Sequence, residues 1–158
     1  MGGVELREVT AQDVLAFFEH QRDPVAARMA AFTVGDPSDR AAFLVRWARD
    51  LADDRVVART VLFDGEVVGH LARSARSGRP EVTCWIDPAH WGRGLATAAL
   101  ALYLDRDPTR PLYARAAVDN VGSLRVLAKC GFVAVGEDVS FAAGRGRDVE
   151  GFVLRLDR

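Results

Sequence analysis

Two short segments of the 158-residue chain carry residue types that could do chemistry. The first is Trp91-Gly92-Arg93-Gly94-Leu95-Ala96-Thr97. Its two glycines let the backbone turn sharply and approach a ligand closely. An Ala-rich helical run follows at once, so free N–H groups and the positive end of a helix dipole would face the loop. Arg93 adds a fork of donors suited to phosphate. The physical reading is a pyrophosphate cradle; a tight, ligand-free loop between strand and helix fits the glycines equally well. Two nucleotide motifs are excluded. G-x-x-x-x-G-K-S/T is absent, and G-x-G-x-x-G would need glycine at position 97, which is Thr97.

The second segment is Asn120-Val121-Gly122-Ser123-Leu124-Arg125-Val126-Leu127-Ala128-Lys129-Cys130-Gly131-Phe132. Asn120 and Ser123 are three apart, on neighbouring turns of one helix face. Leu124, Leu127 and Ala128 form an apolar stripe. Gly131 fits a left-handed helix stop, and Phe132 the position that packs back on the helix. Helix capping alone would account for Asn120.

The rest of the chain must position these two segments. A strand over 4–9 leads through Thr10, an N-cap, to a helix over 11–21 with Val14, Phe17 and Phe18 on one face. Residues 22–37 are less patterned; Met29-Ala30-Ala31-Phe32-Thr33 reads as a loop or a short strand. Ser38 or Asp39 starts a helix whose Phe43, Trp47 and Leu51 recur every fourth residue. The period then changes to strands over 55–63 and 66–75, joined by an Asp64-Gly65 hairpin turn. Ser77-Gly78-Arg79-Pro80 turns into a strand over 81–87, stopped by Pro88. A helix over 94–105 presents Leu95, Ala98, Ala99 and Leu102 to the core. A strand over 111–118, a helix over 120–130 and strands over 132–141 and 148–156 complete the order. Three hairpin-linked strands followed by two strand–helix units imply an α/β (α+β) fold. Its sheet is mixed, with helices on its faces.

Composition bounds the rest. At 158 residues, one domain spanning 1–158 is expected. With 49% hydrophobic and 27% charged residues the chain is globular rather than disordered. The net charge of -1 excludes a general basic field for nucleic acid or an anionic membrane. Phosphate affinity must then be local. Of the 21 cations only Lys129 is lysine; the others are arginine. Two cysteines outside any C-x-x-C pair and three scattered histidines give no disulfide framework and no metal-ligand pattern. No apolar run suits a signal peptide or a membrane helix, so a cytoplasmic protein is expected.

Together, the two segments resemble the GNAT superfamily of N-acetyltransferases. The Trp91–Thr97 loop is similar to that family's acyl-CoA pyrophosphate loop. The pattern Asn120-x-x-Ser123-x-x-Val126-x-x-Lys129-x-Gly131-Phe132 is similar to its following helix. The Trp-Gly-Arg-Gly and Asn-x-x-Ser forms are most similar to the branch holding ribosomal-protein N-terminal and small-molecule acetyltransferases. The resemblance covers roughly residues 55–156. It implies a mainly antiparallel sheet of about seven strands, splayed between the fourth and fifth. Acetyl-CoA would bind in that splay as a cosubstrate, with no metal. Trp85, Ile86 and Asp87 would contact the cofactor arm, the N–H near Ile86 acting as oxyanion donor. Gly92, Arg93, Gly94, Leu95, Ala96 and Thr97 would hold the pyrophosphate. Asn120 and Ser123 would line the thiol end. A primary amine of a small molecule or protein N-terminus would attack the thioester directly; a homodimer stays open.

The sequence departs from the family at two places. Leu127 stands where many members carry the tyrosine that protonates the leaving thiolate, which leaves Ser123 or water for that role. Ala98 and Ala99 stand where the helix after the loop usually carries an acid. Glu81 is the first candidate for general base, against a solvated strand-end carboxylate. His70 is the second, against a structural histidine. Cys84, Cys130, Trp47, Trp85 and Trp91 read as packing residues. Residues 22–37, with Met29 and Phe32, and the turn over 141–147 would contact the acceptor. The alternative to an enzyme is an acyl-CoA-binding sensor with little catalysis.

Overall fold

The computed structural model describes residues 3–31, 36, 38–75 and 78–158. Phe32, Thr33 and Ser77, assigned above to an acceptor-side segment and a turn, lie outside the described residues. Seven strands are formed: β1 (Val4–Glu8), β2 (Val57–Phe63), β3 (Glu66–Ser74), β4 (Glu81–Ile86), β5 (Leu112–Ala117), β6 (Val133–Ala142) and β7 (Arg147–Leu156). The helices are α1 (Ala11–Gln21), α2 (Pro24–Ala30), α3 (Arg40–Leu51), α4 (Leu95–Arg106) and α5 (Val121–Lys129). One sheet runs β1-β2-β3-β4-β5-β7-β6, antiparallel throughout except between β4 and β5. This is the mixed, mainly antiparallel seven-stranded sheet expected from the sequence.

Strand alternation sorts the core into two faces. On one face Val68, Leu71 and Ile86 pack with Leu95, Ala99 and Leu100 of α4 and Leu127 of α5. On the other, Val14, Phe17 and Phe18 of α1 meet Phe43 of α3, with Trp47 and Val67 against them. The hairpin turn forms as its residues demand, with positive φ at both Asp64 (52°) and Gly65 (82°).

Three local expectations are corrected. Met29 and Ala30 end a helix, α2, rather than forming a loop or strand. Asp23 caps that helix by accepting from the Val25 and Ala26 N–H groups, and Pro24 supplies a φ preset for the first turn. On α4, Ala98 is exposed, and the buried stripe runs instead through Leu95, Ala99, Leu100, Tyr103 and Leu104. Tyr103 is fixed by its hydroxyl, which donates to the Val57 carbonyl at 2.6 Å. Leu51 and Ala128, near the ends of their helices, are also exposed because no element covers them there.

The parallel junction sets up everything that follows. β4 and β5 share a single ladder position, Glu81 opposite Tyr113. The Tyr113 N–H donates to Pro80 O at 2.9 Å. Beyond that vertex the ladder ends and the strands part, as the resemblance implies.

Candidate active site

Backbone direction alternates along β4, and three hydrogen bonds fix its phase. The Asp87 N–H donates to Val68 O at 2.8 Å, so Asp87 and its odd-numbered neighbours turn their backbone toward β3. Pro80 O, by contrast, accepts from β5, and Ile86 O accepts the Trp91 indole N–H at 2.8 Å. The even-numbered residues therefore face the gap. Cys84 and Ile86 aim their N–H groups into it, two donors where the sequence expected one. Across the gap, β5 places the backbone of Arg115 and Ala117 toward β4 by the same alternation, and the Ala117 carbonyl is already taken by the Asn120 N–H at 2.9 Å. An extended arm could add as a strand to these unladdered groups.

The start of α4 lies just past the open end of β4. Four helices begin with a side-chain cap: Thr10, Asp23, Asp39 and Asn120 each accept from backbone N–H groups. α4 alone among the described helices begins without one, because Gly94 stands at its N-cap. The N–H groups of Leu95, Ala96 and Thr97 thus have neither an intrahelical partner nor a cap. Gly92 and Gly94 hold positive φ values of 82° and 73°, which turn the loop back under these donors. Arg93 is exposed beside them. Leu95 is buried in the core, so only its backbone is available here. Trp91, expected as packing, is 43% exposed and works through its indole N–H, which anchors the loop to β4.

Asp87 has a structural duty. Its carboxylate accepts the Ala89 N–H at 3.3 Å and caps the short 3₁₀ turn Pro88–His90. That same carboxylate lies 3.8 Å from His20 Nε2, and His90 Nε2 lies 3.8 Å from Glu66. Burial lowers the His20 pKa, against the raising effect of Asp87.

Asn120 is buried, and both its side-chain oxygen and its side-chain nitrogen are bonded. Its oxygen accepts the Ser123 N–H at 3.2 Å and its amide donates to Met29 O at 3.0 Å. Ser123 is half-buried, and its hydroxyl makes no hydrogen bond among the described residues. Leu127 is buried in the core, so no hydroxyl reaches the gap from that position.

The other face of β4 carries Glu81, Thr83 and Trp85, by parity with His70, which pairs with Trp85 in the β3–β4 register. The structure thus turns the Trp85 backbone to β3 and its side chain to the face opposite α4. Glu81 sits at the vertex, roughly 10 Å along the strand from Cys84 at about 3.3 Å per residue. His70 is packed by Phe17 (4.5 Å between ring centroids) and edge-on to Trp47 (5.0 Å). Burial, and then the neighbouring His20, lower its pKa to about 3, so it is a neutral packing residue. Burial, and then Cys130, push the Cys84 thiol up to about 12, which leaves no thiolate for a covalent route. Among the described residues no His, Cys, Asp and Glu group could hold a metal, and no helix is long and apolar enough to cross a membrane.

Sequence reasoning missed the α2 latch to Asn120 and the Trp91 anchor. The Asp23-Pro24 pair signalled the helix; nothing local signalled its long-range partners.

The comparisons follow this geometry. The model of the acetyltransferase (GNAT) domain matches residues 4–133. Among curated proteins none matches in sequence. Among solved structures, a spermidine N-acetyltransferase from Vibrio cholerae, in complex with CoA and spermine, is 20% identical. It covers 97% of this chain and 95% of its own, with a TM-score of 0.78. A ribosomal-protein-alanine N-acetyltransferase from Brucella melitensis is 19% identical, covering 98% and 99%, with a TM-score of 0.74. The microcin C7 self-immunity acetyltransferase, in complex with acetyl-CoA and AMP, is 13% identical, covering 98% and 92%, with a TM-score of 0.76. At these identities the structures share the fold alone; the domain match spans most of the sequence, both strands of the splay and the uncapped helix, and by it the chain belongs to the GNAT family of acetyltransferases.

Proposed function

We propose that residues 1–158 act as one N-acetyltransferase unit in the cytoplasm. The unit moves the acetyl group of acetyl-CoA to a primary amine of a small molecule or protein N-terminus by direct attack. The observation that carries this reading is the uncapped start of α4 beside a splayed strand pair. Leu95, Ala96 and Thr97 N–H groups with Arg93 suit a pyrophosphate. Cys84 and Ile86 N–H groups suit the pantetheine arm and the oxygen that becomes negative as the thioester is attacked.

An amine near pKa ~10 is mostly charged at neutral pH, so a proton must leave before attack. Glu81 lies too far along β4 to take it directly and acts through intervening water. Ser123, with its hydroxyl at the start of α5, returns a proton to the leaving thiolate. Asn120 serves by placing that helix start. Of the similar structures, one is a spermidine N-acetyltransferase and another a ribosomal-protein-alanine N-acetyltransferase, which supports a small amine or an N-terminus as the acceptor.

Buried Leu127 favours a second reading, an acyl-CoA sensor with little turnover. Two measurements separate them. Acetyl-CoA at about 100 times its Kd should stabilise the fold by about 2.7 kcal/mol under both readings. Free thiol release across amines and peptides should appear only for the enzyme. Tight binding without turnover on a broad panel would leave the sensor standing.

A further inference from the structure

Several half-buried arginines of this chain hold a carboxylate. Arg73 pairs with Asp107, Arg115 with Asp138 and Arg145 with Asp119. Arg79 does not. Its guanidinium carbon lies 4.2 Å from the centroid of the Tyr113 ring, and the residue is half-buried. Its Nε is buried and bonded to nothing, and no carboxylate among the described residues pairs with it. Stacking on an aromatic face desolvates a guanidinium but leaves its in-plane donors unsatisfied. A buried donor without a partner calls for an explanation.

Its place supplies one. Tyr113 is the residue opposite Glu81 at the vertex of the splay. Parity puts Glu81, Tyr113 and Trp85 on the same face of the sheet, away from α4. Trp85 also carries a buried indole N–H with no partner. Among the described residues, Trp85 Nε1 beside the gap and Arg79 Nε at the vertex are both buried donors without a partner on that face. Four residues of β4 separate them, roughly 13 Å at about 3.3 Å per residue.

Resting on the acetyltransferase reading above, we infer that Arg79, held by Tyr113, binds the anionic end of the acceptor. The acceptor class is a primary amine that carries a carboxylate or phosphate roughly 10 Å from its nitrogen. Its amine lies in the splay beside Trp85, and its anion meets the in-plane donors of Arg79. Arg79 is a specificity residue, and Tyr113 positions it.

The test uses matched acceptors. A tripeptide with a free C-terminal carboxylate is compared with its C-terminal amide, and a phosphorylated amine of similar length with its alcohol. Spermidine is the cationic control. The wild type should favour the anionic member at least tenfold in kcat/KM, mostly through KM. Whichever pair shows the larger ratio identifies carboxylate or phosphate. Arg79→Gln should bring the ratio to about one, and Arg79→Lys should keep part of it. Both members of a pair see the same enzyme, so loss of fold cancels from the ratio. A wild-type ratio near one, a ratio that survives Arg79→Gln, a preference for spermidine, or no turnover of any member by protein that binds acetyl-CoA would overturn the inference. Failure to bind acetyl-CoA, read as no thermal shift, would instead overturn the acetyltransferase reading beneath it.

Discussion

The Asn120 side-chain amide donates to the Met29 carbonyl at 3.0 Å, across 91 residues of chain. That bond joins the first turn of α5, beside the splay, to the last turn of α2. Two more bonds act on the same helix end. Arg145 Nε donates to Arg28 O at 2.9 Å, and the Gly144 N–H to Ala31 O at 3.0 Å. The terminal carbonyls of α2, which no intrahelical N–H can satisfy, are thus closed by residues from α5 and from the β6–β7 turn. Asn120→Ala removes both a cap and this latch, and should cost about 2 kcal/mol of stability. It should also raise KM for the acceptor more than for acetyl-CoA, because α2 moves while α4 does not. Denaturation midpoints and the two KM values check this; an unchanged acceptor KM would dissociate α2 from the acceptor site.

The α4 start predicts a defect confined to the cofactor. A Cβ at Gly94 meets no heavy atom within 4 Å beyond its chain neighbours, so its cost in the protein is conformational, from the φ of 73°. Gly94→Val should cost about 1–2 kcal/mol in stability. It should weaken acetyl-CoA binding at least tenfold, because the added methyl groups stand over the Leu95–Thr97 donors. Calorimetric titration with CoA reads the affinity directly, and wild-type affinity would remove the loop from the site.

A relayed base predicts a particular pH signature. Glu81→Gln should lower kcat roughly 100-fold, at the low end of general-base effects. Its loss should be recovered in part at high pH, where the amine arrives already neutral. KM for acetyl-CoA should hold. A pH–rate profile that shifts by a constant factor at every pH would leave Glu81 as a structural carboxylate.

The legible part of the molecule was whatever local chemistry writes. Thr10 and Asn120 are read as helix starts from capping chemistry, as is one of Ser38 and Asp39, and Gly131-Phe132 as a helix stop. The Trp91–Thr97 loop is legible as a candidate phosphate cradle because glycines, a cation and an Ala-rich helix are adjacent. The splay was legible only through resemblance, since no residue of β4 or β5 announces that their ladder stops after Tyr113. The latch on α2, the anchor from Trp91 to Ile86 and the stack of Arg79 on Tyr113 were illegible for one reason. Each joins segments whose meeting depends on the finished sheet. His70 shows the opposite error: its type suggests a base, while its surroundings, Phe17 and Trp47, make it a packing residue.

Stability toward acid should depend on the Asp13 carboxylate. Burial pushes its pKa up, but the bidentate Arg7, the Thr10 N–H and the Thr60 hydroxyl together outweigh it and bring it down to about 2. A carboxylate whose pKa falls on folding contributes stability above its unfolded value, about 3.9, and loses it as pH drops toward the folded one. Stability should therefore decline between about pH 4 and pH 2. Asp13→Asn should flatten that decline and cost about 2–3 kcal/mol at neutral pH, where Arg7 and Thr60 lose a charged partner. Melting temperature against pH for both proteins measures it. Parallel curves would show that other carboxylates dominate.

Gly144 lies directly against the backbone of α2. A Cβ there would fall well inside van der Waals contact with the Ala27 carbonyl oxygen, and would press on Ala31 O at 3.2 Å. Neither neighbour is a side chain that can swing away; both are backbone of α2 and its C-cap. Gly144→Ala must therefore push the β6–β7 turn off α2. That opens the small-residue cluster of Ala31, Ala117, Ala142 and Val149 and breaks the Gly144-to-Ala31 bond. A destabilisation of about 2–4 kcal/mol is expected, from overpacking plus one lost hydrogen bond. Acetyl-CoA affinity should survive in the folded fraction, because α4 and the Trp91 loop lie on the other side of the sheet. Acceptor KM should rise. If Gly144→Ala melts like the wild type, the turn is not seated on α2, and the acceptor site loses one of its walls.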